Sequence, residues 1–251
     1  MIEEMEDLAF VKRKDEESSR FSGADWFETA KMMNIYIVGC GGVGSWAAIN
    51  LARFFPASIT LYDDDFVETG NMSGQFYEDV EGSKVVELSK NISRFTNYIT
   101  PINTYEGKFT QENVKSIQPN SVVVIGIDNQ KEKKNIMNAI HVLSRKNVWV
   151  IDARLSMDTF QIITMNDKIY FDYTKFKKYS DKFLFDDADA DRTICSLKQT
   201  SFMANMIGGM IGNVYMTICK YISSDFPVYV PYFIEYSDNY SLKIEYFDNE
   251  M

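Results

Sequence analysis

The sequence has few of the residues on which many catalytic and structural sites depend. Its 251 residues include one histidine, three cysteines and five prolines. A single histidine, His141, does not suffice for a histidine-rich metal site and gives little basis for a histidine triad, so we interpret it as a structural or surface residue. The cysteines, Cys40, Cys195 and Cys219, form neither a disulfide framework nor a C-x-x-C pair. This usage indicates a reducing, cytoplasmic location.

Positive charge is also scarce. The chain has 26 Lys and Arg against 36 Asp and Glu, which gives a net charge of −10. An acidic balance of this size opposes unassisted binding to nucleic acid or to an anionic membrane, because both need basic patches. The first seven residues are acidic where a secretion signal would be basic, so we expect no such signal.

One long uncharged run needs a separate interpretation. Residues 202–219 carry no charge and approach the lower length limit of a membrane span. The run contains polar residues and three glycines, however, which favours a buried helix. Gly208 and Gly212 lie one helical turn apart and permit close backbone packing, either within the chain or across a dimer. We therefore expect no membrane partner.

Strand-like and helical segments alternate over the first 151 residues. Apolar, strand-like segments fall at 34–38, 58–62, 99–105, 121–126 and 148–151, and helical segments lie between them near 44–55, 82–96, 110–117 and 130–145. This alternation predicts an α/β fold, a Rossmann-like, mostly parallel, doubly wound sheet.

The pattern changes in the C-terminal part. Segments 159–165 and 168–171, separated by Asn166-Asp167, predict an antiparallel hairpin, and 172–194 is a polar crossover loop or a solvated acidic face. A long apolar helix near 197–222 and strands near 228–236 and 241–247 follow. We expect one domain over 1–251: a helical lead-in (1–33, anchored by Trp26 and Phe27), a nucleotide-binding half (34–151) and an antiparallel extension (152–251).

The richest glycine cluster follows the first strand directly. Gly39, Gly41, Gly42 and Gly44 stand between the strand 34–38 and the next helix. Residues without side chains allow a sharp turn and close approach of a phosphate, and the helix N-terminus beyond them offers free amides. The loop fits both G-x-G-x-x-G and the tighter G-x-G-G-x-G, so by itself it leaves the nucleotide open.

Asp63 ends the second strand, where a carboxylate accepts hydrogen bonds from ribose hydroxyls. This fits NAD and ATP equally well, and a plain turn aspartate is the alternative. NAD binding does not account for the residues that come next. The glycine loop, the run from Asp63 to Lys84 and an apolar strand that ends in Asp128-Asn129 resemble the ThiF/MoeB/HesA family of adenylating enzymes over about residues 20–222. The matching positions after the loop are Asp63, Asp65, Val67, Asn71, Gln75 and Lys84.

The resemblance implies an ATP-dependent adenylyltransferase. Such an enzyme joins a carboxylate to the α-phosphate of ATP, and its substrate is a small ubiquitin-like or sulfur-carrier protein ending in Gly-Gly, or another peptide C-terminus. Lys84 then neutralises phosphate charge and Asp128 holds Mg²⁺. The glycine loop, Asp63 and Asp65 bind the nucleotide, and Asn71 and Gln75 bind it or orient the carboxylate. A homodimer is also implied.

The sequence departs from the family at two places, and the role of one cysteine stays open. Gly74 stands where the family has an arginine, which removes one cation from the phosphate site. Arg20 compensates for the lost cation if it acts as the family's N-terminal arginine does, in the same chain or across a dimer. Otherwise Arg20 is a solvated helix residue. Arg154 is a second candidate for the compensating cation. The zinc-binding C-x-x-C pairs of many relatives are missing. Cys195 is either the cysteine that forms a thioester or persulfide, or a small buried hydrophobe.

Two other functions remain open on the residues alone. An NAD-dependent oxidoreductase explains the loop and Asp63 but not Asp65, Lys84 and Asp128 at their spacings. A non-catalytic nucleotide-binding scaffold with a degenerate site is supported by Gly74.

Overall fold

An eight-stranded mixed sheet organises the protein, in the strand order β3-β2-β1-β4-β5-β6-β7-β8. The computed structural model describes residues 21, 23–78, 81–142, 147–167, 172–184, 200–237 and 239–246. The strands are β1 (Asn34–Val38), β2 (Ser58–Asp63), β3 (Ile102–Glu106), β4 (Ser121–Ile125), β5 (Val148–Leu155), β6 (Thr159–Met165), β7 (Pro231–Ser237) and β8 (Ser241–Tyr246).

Helices cover both faces of this sheet. The α-helices are α1 (Asp25–Met32), α2 (Gly42–Ala52), α3 (Lys84–Phe95), α4 (Gln130–Val142), α5 (Tyr173–Phe183) and α6 (Ser201–Ser223), and 3-10 turns span Thr69–Ser73 and Asn113–Ser116. One apolar core lies under α1, α2, α3 and α6, and a second lies under α4 and α5. The predicted doubly wound α/β class is therefore confirmed.

The first five strands run parallel. β1 is central, with β2 on one side and β4 on the other, and Val38 is in register with both Tyr62 and Ile125. β4 is buried along its whole length, as its continuous apolar run Ser121–Ile125 requires. Chain connections leave β1 and β4 toward opposite faces, which opens a crevice beyond the carboxyl ends of these two strands.

The last three strands are antiparallel, in agreement with the antiparallel C-terminal extension that we expected. β6 follows β5 after a turn at 156–158, and residues 160–163 pair with β5 on one side and β7 on the other. The second strand of the predicted hairpin, 168–171, lies outside the described residues.

Helix α5 occupies part of the segment that we expected to be a polar loop or a solvated acidic face. Asp172 caps the helix by accepting hydrogen bonds from the backbone amides of Thr174 and Lys175. Phe176, Tyr179 and Phe183 are buried at helical spacing against the second core. The lysines between them dominate the composition and conceal this apolar stripe.

Helix α6 packs across α2 and α1, and Gly208 serves this packing within the chain. A β-carbon at Gly208 would come within 2.8 Å of the backbone of Trp46, whereas one at Gly212 would make ordinary contact with Phe54 at 3.7 Å. Among the described residues α6 is the one helix long and apolar enough to span a membrane by length and composition, and 56% of its most apolar window is buried inside the fold. Cys219, on this helix, is part of the core.

Candidate functional site

The glycine loop turns tightly at the end of β1. Gly39 has φ +87°, in the left-handed region that glycine tolerates, and its amide donates to the carbonyl of Tyr62 at 2.9 Å. A β-carbon at Gly44 would overlap the carbonyl oxygen of Gly39, so this position requires glycine. A β-carbon at Gly41 would meet nothing within 4 Å. The loop is thus closed toward the sheet and open at Gly41.

The open side of the loop is the N-terminus of α2. This helix starts at Gly42, and its first backbone bond runs from the Ser45 amide to the Gly41 carbonyl at 2.9 Å. Among the described residues no side chain caps it. The amides of the first turn and the positive end of the helix dipole are therefore available to a phosphate.

Asp63 fixes the loop from the end of β2. Its Oδ2 accepts a hydrogen bond from the Cys40 amide at 2.6 Å, and its Oδ1 accepts one from the Asp65 amide at 2.9 Å. Burial raises the pKa of Asp63, and these two backbone bonds oppose that rise. The predicted ribose acceptor thus also connects the loop after β1 to the loop after β2.

Cys40 itself is unsuited to nucleophilic chemistry. Its side chain is fully buried, and burial followed by the charge of Asp63 raises the pKa of the thiol well above its ordinary value. A thiol in this environment stays protonated, so Cys40 is structural.

Lys84 and Asp65 form an ion pair at the same edge of the sheet. Lys84 is the first residue of α3, and its Nζ lies 2.7 Å from Asp65 Oδ2. The Lys84 side chain is 8% exposed, whereas that of Asp65 is 67% exposed. The charge of Lys84 also acts on Asp63 and Cys40, where it opposes the rise in pKa that burial causes. The structure therefore brings the lysine to the glycine loop.

The segment between Asp65 and Lys84 is a loop whose two ends are joined by backbone contacts. Phe66 and Ser83 form an antiparallel bridge, and Val67 donates to the Gly82 carbonyl at 2.8 Å. The 3-10 turn Thr69–Ser73 lies inside the loop. The two sides of the Asp65–Lys84 pair are thus held next to each other by backbone contacts.

Three residues that sequence reasoning missed attach this loop to the glycine loop and α2. The Tyr77 hydroxyl donates to the Cys40 carbonyl at 2.6 Å, the Phe76 amide donates to Ser45 Oγ at 3.0 Å, and Trp46 Nε1 donates to the Gly74 carbonyl at 3.2 Å. Tyr77, Ser45 and Trp46 have ordinary core-like sequence contexts, so no signal marked them. They connect the segment 74–77 directly to the N-terminal half of α2.

Asn71 and Gln75 have different environments. Asn71 Oδ1 accepts from the Glu68 amide at 2.9 Å and so stabilises its own 3-10 turn. Gln75, placed next to the residues that contact α2, has a buried Oε1 without a hydrogen-bond partner among the described residues. A buried polar atom of this kind is costly unless something bonds to it, which fits a ligand in the crevice.

Asp128 lies just beyond the carboxyl end of β4. It is exposed, and the following residue, Asn129, caps α4 by accepting from the Glu132 amide at 2.8 Å. The carboxylates of Asp63, Asp64 and Asp65 lie within 4.8 Å of one another at the end of β2. Exposed carboxylate oxygens suit Mg²⁺. The two carboxylate oxygens of Asp128 are more available to the ion than those of Asp63, because both oxygens of Asp63 already accept hydrogen bonds from backbone amides.

The structure thus gathers the predicted loop glycines, Asp63, Asp65, Lys84 and Gln75 around the N-terminus of α2, with Asp128 on the neighbouring strand end. Arg20 and Cys195 lie outside the described residues. Arg154 lies at the far end of β5, next to β4.

The family model described as "ThiF family" matches residues 16–247. The chain belongs to the ThiF family. The described glycine loop, the Asp63–Lys84 segment and the strand that ends at Asp128 all lie within the matched range, and so confirm the resemblance seen in the sequence.

Comparisons with individual proteins agree with this membership. The chain of this ThiF-family protein is 34% identical over 116 residues, 45% of its length, to "Adenylyltransferase and sulfurtransferase MOCS3" of Dictyostelium discoideum. It is 30% identical over 120 residues, 43% of its length, to "Ubiquitin-like modifier-activating enzyme 5" of Arabidopsis thaliana. Its fold resembles the crystal structure of PaaA, with a TM-score of 0.67, 19% identity and coverage of 94% of this chain and 82% of that one.

The curated relatives are much longer than the matched segments. The similarity spans 27% of the MOCS3 protein and 28% of the activating enzyme.

Proposed function

We propose that the protein is an ATP-dependent adenylyltransferase that activates a carboxylate. The substrate is the C-terminus of a small ubiquitin-like or sulfur-carrier protein ending in Gly-Gly, or another peptide C-terminus. The observation that carries the proposal is the convergence of an open helix N-terminus at Gly41, the buried lysine Lys84 and the unpartnered Oε1 of Gln75 in one crevice. The names of the two curated relatives support it.

Each group of the site has a separate role in the proposed reaction. In the reaction, a carboxylate oxygen of the substrate attacks the α-phosphorus of ATP, the bond to the bridging oxygen breaks and pyrophosphate leaves with the electron pair. The amides at the start of α2 bind phosphate oxygens, and Asp63 accepts from the ribose. Lys84, released from Asp65 or shared with it, stabilises the negative charge that develops on the phosphates.

Mg²⁺ supplies charge neutralisation on the phosphates when it is bound, and Asp128 is the residue that we assign to hold it. Asn71 positions the loop through its own turn, and Gln75 contacts the nucleotide or the reacting carboxylate. The proposal extends to a cytoplasmic homodimer in which Arg20 supplies a phosphate-binding cation. It also includes Cys195 as the residue that accepts the activated carboxylate as a thioester.

Two features bear on the alternatives. An NAD-dependent oxidoreductase needs the glycine loop and Asp63 but gives no role to a lysine held 2.7 Å from Asp65. A degenerate scaffold is favoured by Gly74, where a family arginine is lost. Because the lysine, the loop and the carboxylates remain assembled, we favour an active site.

ATP–pyrophosphate exchange tests the proposal. Labelled pyrophosphate should enter ATP only with Mg²⁺ and with a carrier that ends in Gly-Gly. Lys84→Ala and Asp128→Ala should each lower the exchange rate by about 100-fold or more, because each removes charge stabilisation from the transition state. Lys90→Ala is the matched control: Lys90 lies on the same helix, is 52% exposed and pairs with Glu87 outside the site.

Lack of exchange with every carrier and peptide offered, together with tight NADH binding, would overturn the proposal. A thioester that forms equally well on a Cys195→Ala variant would remove the role of Cys195 and leave the adenylation step intact.

A further inference from the structure

Tyr77 is a buried residue that contacts the backbone of the glycine loop. It is 6% exposed, and its hydroxyl donates a hydrogen bond to the Cys40 carbonyl at 2.6 Å. Burial raises the pKa of Tyr77 above its ordinary value. The hydroxyl therefore stays protonated at neutral pH and remains a hydrogen-bond donor to the loop.

The backbone of the loop residue Cys40 is held from two sides. Its amide donates to Asp63 Oδ2 at 2.6 Å, and its carbonyl accepts from the Tyr77 hydroxyl at 2.6 Å. The two contacts come from different parts of the chain, because Asp63 ends β2 and Tyr77 lies in the segment before α3. The peptide groups before and after Cys40 are therefore both fixed in orientation.

The peptide group between Cys40 and Gly41 determines where the Gly41 amide points. In a trans peptide, as this one is, the carbonyl and the following N–H point in opposite directions. Because the carbonyl points toward the buried Tyr77, the Gly41 N–H points away from it. Within the described part of the chain this N–H has no acceptor, and a β-carbon at Gly41 would meet nothing within 4 Å. The Gly41 amide is thus a donor on the open side of the loop.

Gly41 directly precedes α2, so its amide adds to the phosphate-binding groups of that helix. It is the N-cap residue of α2, and the first amides of a helix have no acceptor within the helix. Glycine has no side chain that restricts the rotation of its peptide groups. A contact from outside the loop therefore restricts this peptide group where the loop's own side chains do not.

The backbone just before Tyr77 is itself fixed on α2. Trp46 Nε1 donates to the Gly74 carbonyl at 3.2 Å, and the Phe76 amide donates to Ser45 Oγ at 3.0 Å. Both acceptor–donor pairs join this segment to the first turns of the helix whose N-terminus faces the crevice. The hydroxyl is therefore presented to the loop by a backbone that α2 holds in place.

We propose that Tyr77 is a positioning residue of the phosphate site: it holds the Cys40 carbonyl, and through that peptide group it directs the Gly41 amide toward the α-phosphate of the bound nucleotide. This inference rests on the proposed function in that a nucleotide phosphate binds at the loop. A correctly directed amide donates a strong hydrogen bond to a charged phosphate oxygen. The segment around Gly74 thus takes part in phosphate binding, although it lacks the arginine of the family.

Calorimetric titration with AMP and with adenosine tests the inference, since the two ligands differ only in the α-phosphate. Tyr77→Phe keeps the ring and removes the hydroxyl. The variant should bind AMP about 5–10-fold more weakly and adenosine within about twofold of the wild-type protein, because a hydrogen bond to a charged group is weakened. The amide proton signal of Gly41 in the NMR spectrum should also shift less on AMP binding than it does in the wild-type protein.

Tyr215→Phe is the matched control. The Tyr215 hydroxyl is also buried and donates to a backbone carbonyl, that of Ala30, at 2.8 Å. Tyr215 packs on Phe54, which lies just past the C-terminal end of α2, and the 11 residues of this helix separate it from the glycine loop by about 16 Å. The two variants should lose similar unfolding free energy, whereas Tyr215→Phe should leave the ratio of the AMP and adenosine affinities unchanged.

An unchanged ratio of the two affinities in Tyr77→Phe overturns the inference and leaves the proposed function standing, because the tyrosine then acts on the fold alone. Should Tyr77→Phe fail to fold, Ser45→Ala takes its place: it removes the acceptor of the Phe76 amide and should lower the affinity for AMP relative to that for adenosine. An unchanged ratio in that variant overturns the inference in the same way. A wild-type protein that binds neither AMP nor ATP overturns the proposed function as well.

Discussion

Asp152 is the residue that Lys133, Arg154 and Tyr179 all contact within the described part of the chain. Asp152→Asn removes the charge that neutralises Lys133, which is 1% exposed, while leaving the shape of the side chain nearly unchanged. We expect this variant to lose about 3–5 kcal/mol of unfolding free energy at neutral pH, because a buried lysine is left unpaired. Urea denaturation measures the loss. Lys177→Ala, which breaks an exposed pair with Asp181 on α5, should leave the unfolding free energy almost unchanged.

The same carboxylate predicts a pH dependence. Its pKa in the folded protein is lowered to about 2, below the value of about 3.9 in an unfolded chain. A depressed pKa means that ionised Asp152 adds stability above about pH 4 and that this contribution disappears as the pH falls toward 2. The difference in unfolding free energy between the wild-type protein and Asp152→Asn should therefore shrink over this interval. A difference that stays constant from pH 5 to about pH 2 would show that Asp152 does not titrate in this way.

Spacing in the sequence predicted the site residues that lie on or next to strand ends, because parallel strands deliver such residues to one edge. Gly39, Gly44 and Asp63 were found in this way, Lys84 was found through the family resemblance, and the structure brings them together. Tyr77 and the Lys133–Asp152 pair were not found. Their roles arise from contacts between segments distant in the chain, and a lysine in a polar helix gives no sign of burial.

At the scale of elements, the bounds of strands that are buried on both faces of the sheet could be predicted. β1, β2 and β4 are short apolar runs followed by turn residues, and their bounds match the expectation within one residue. The pairing of β6 with β5 and β7 was not predicted, because it is set by the return of the chain at 156–158 and by the distant β7. Helix α5 was missed because its stripe of three aromatics is diluted by lysines.

The packing of α6 on α2 gives a prediction with an internal control. Alanine is the better helix former at any interior position, by about 1 kcal/mol relative to glycine. At Gly209 a β-carbon would meet nothing within 4 Å, so Gly209→Ala should stabilise the protein by about 0.5–1 kcal/mol. At Gly208 it would lie 2.8 Å from backbone atoms of Trp46, and overpacking should outweigh the propensity, with a net loss of about 1–2 kcal/mol.

Urea unfolding of the two variants provides the measurement. Equal gains in both variants would mean that α6 and α2 are not in the close contact described here.

For the molecule as a whole, the net charge of −10 means that attraction for a polyanion has to come from the local field of the crevice. The positive end of α2 follows β1, and Lys84 begins α3, which follows β2 in the chain. A ligand that contacts both groups bridges segments that separate on unfolding. Binding should therefore stabilise the entire fold and not merely one loop.

Mg-ATP at about 100 times its dissociation constant should add about 2.7 kcal/mol to the unfolding free energy and raise the melting temperature by about 5–10 °C. NAD at the same concentration should leave the melting temperature unchanged, because the role proposed for Lys84 is to neutralise phosphates that extend past the glycine loop, whereas a dinucleotide carries a second nucleoside there. Differential scanning calorimetry compares the two ligands on the wild-type protein and on Lys84→Ala, in which the ATP shift should fall to less than half. A rise with NAD and none with ATP would assign the crevice to a dinucleotide and reject the adenylyltransferase.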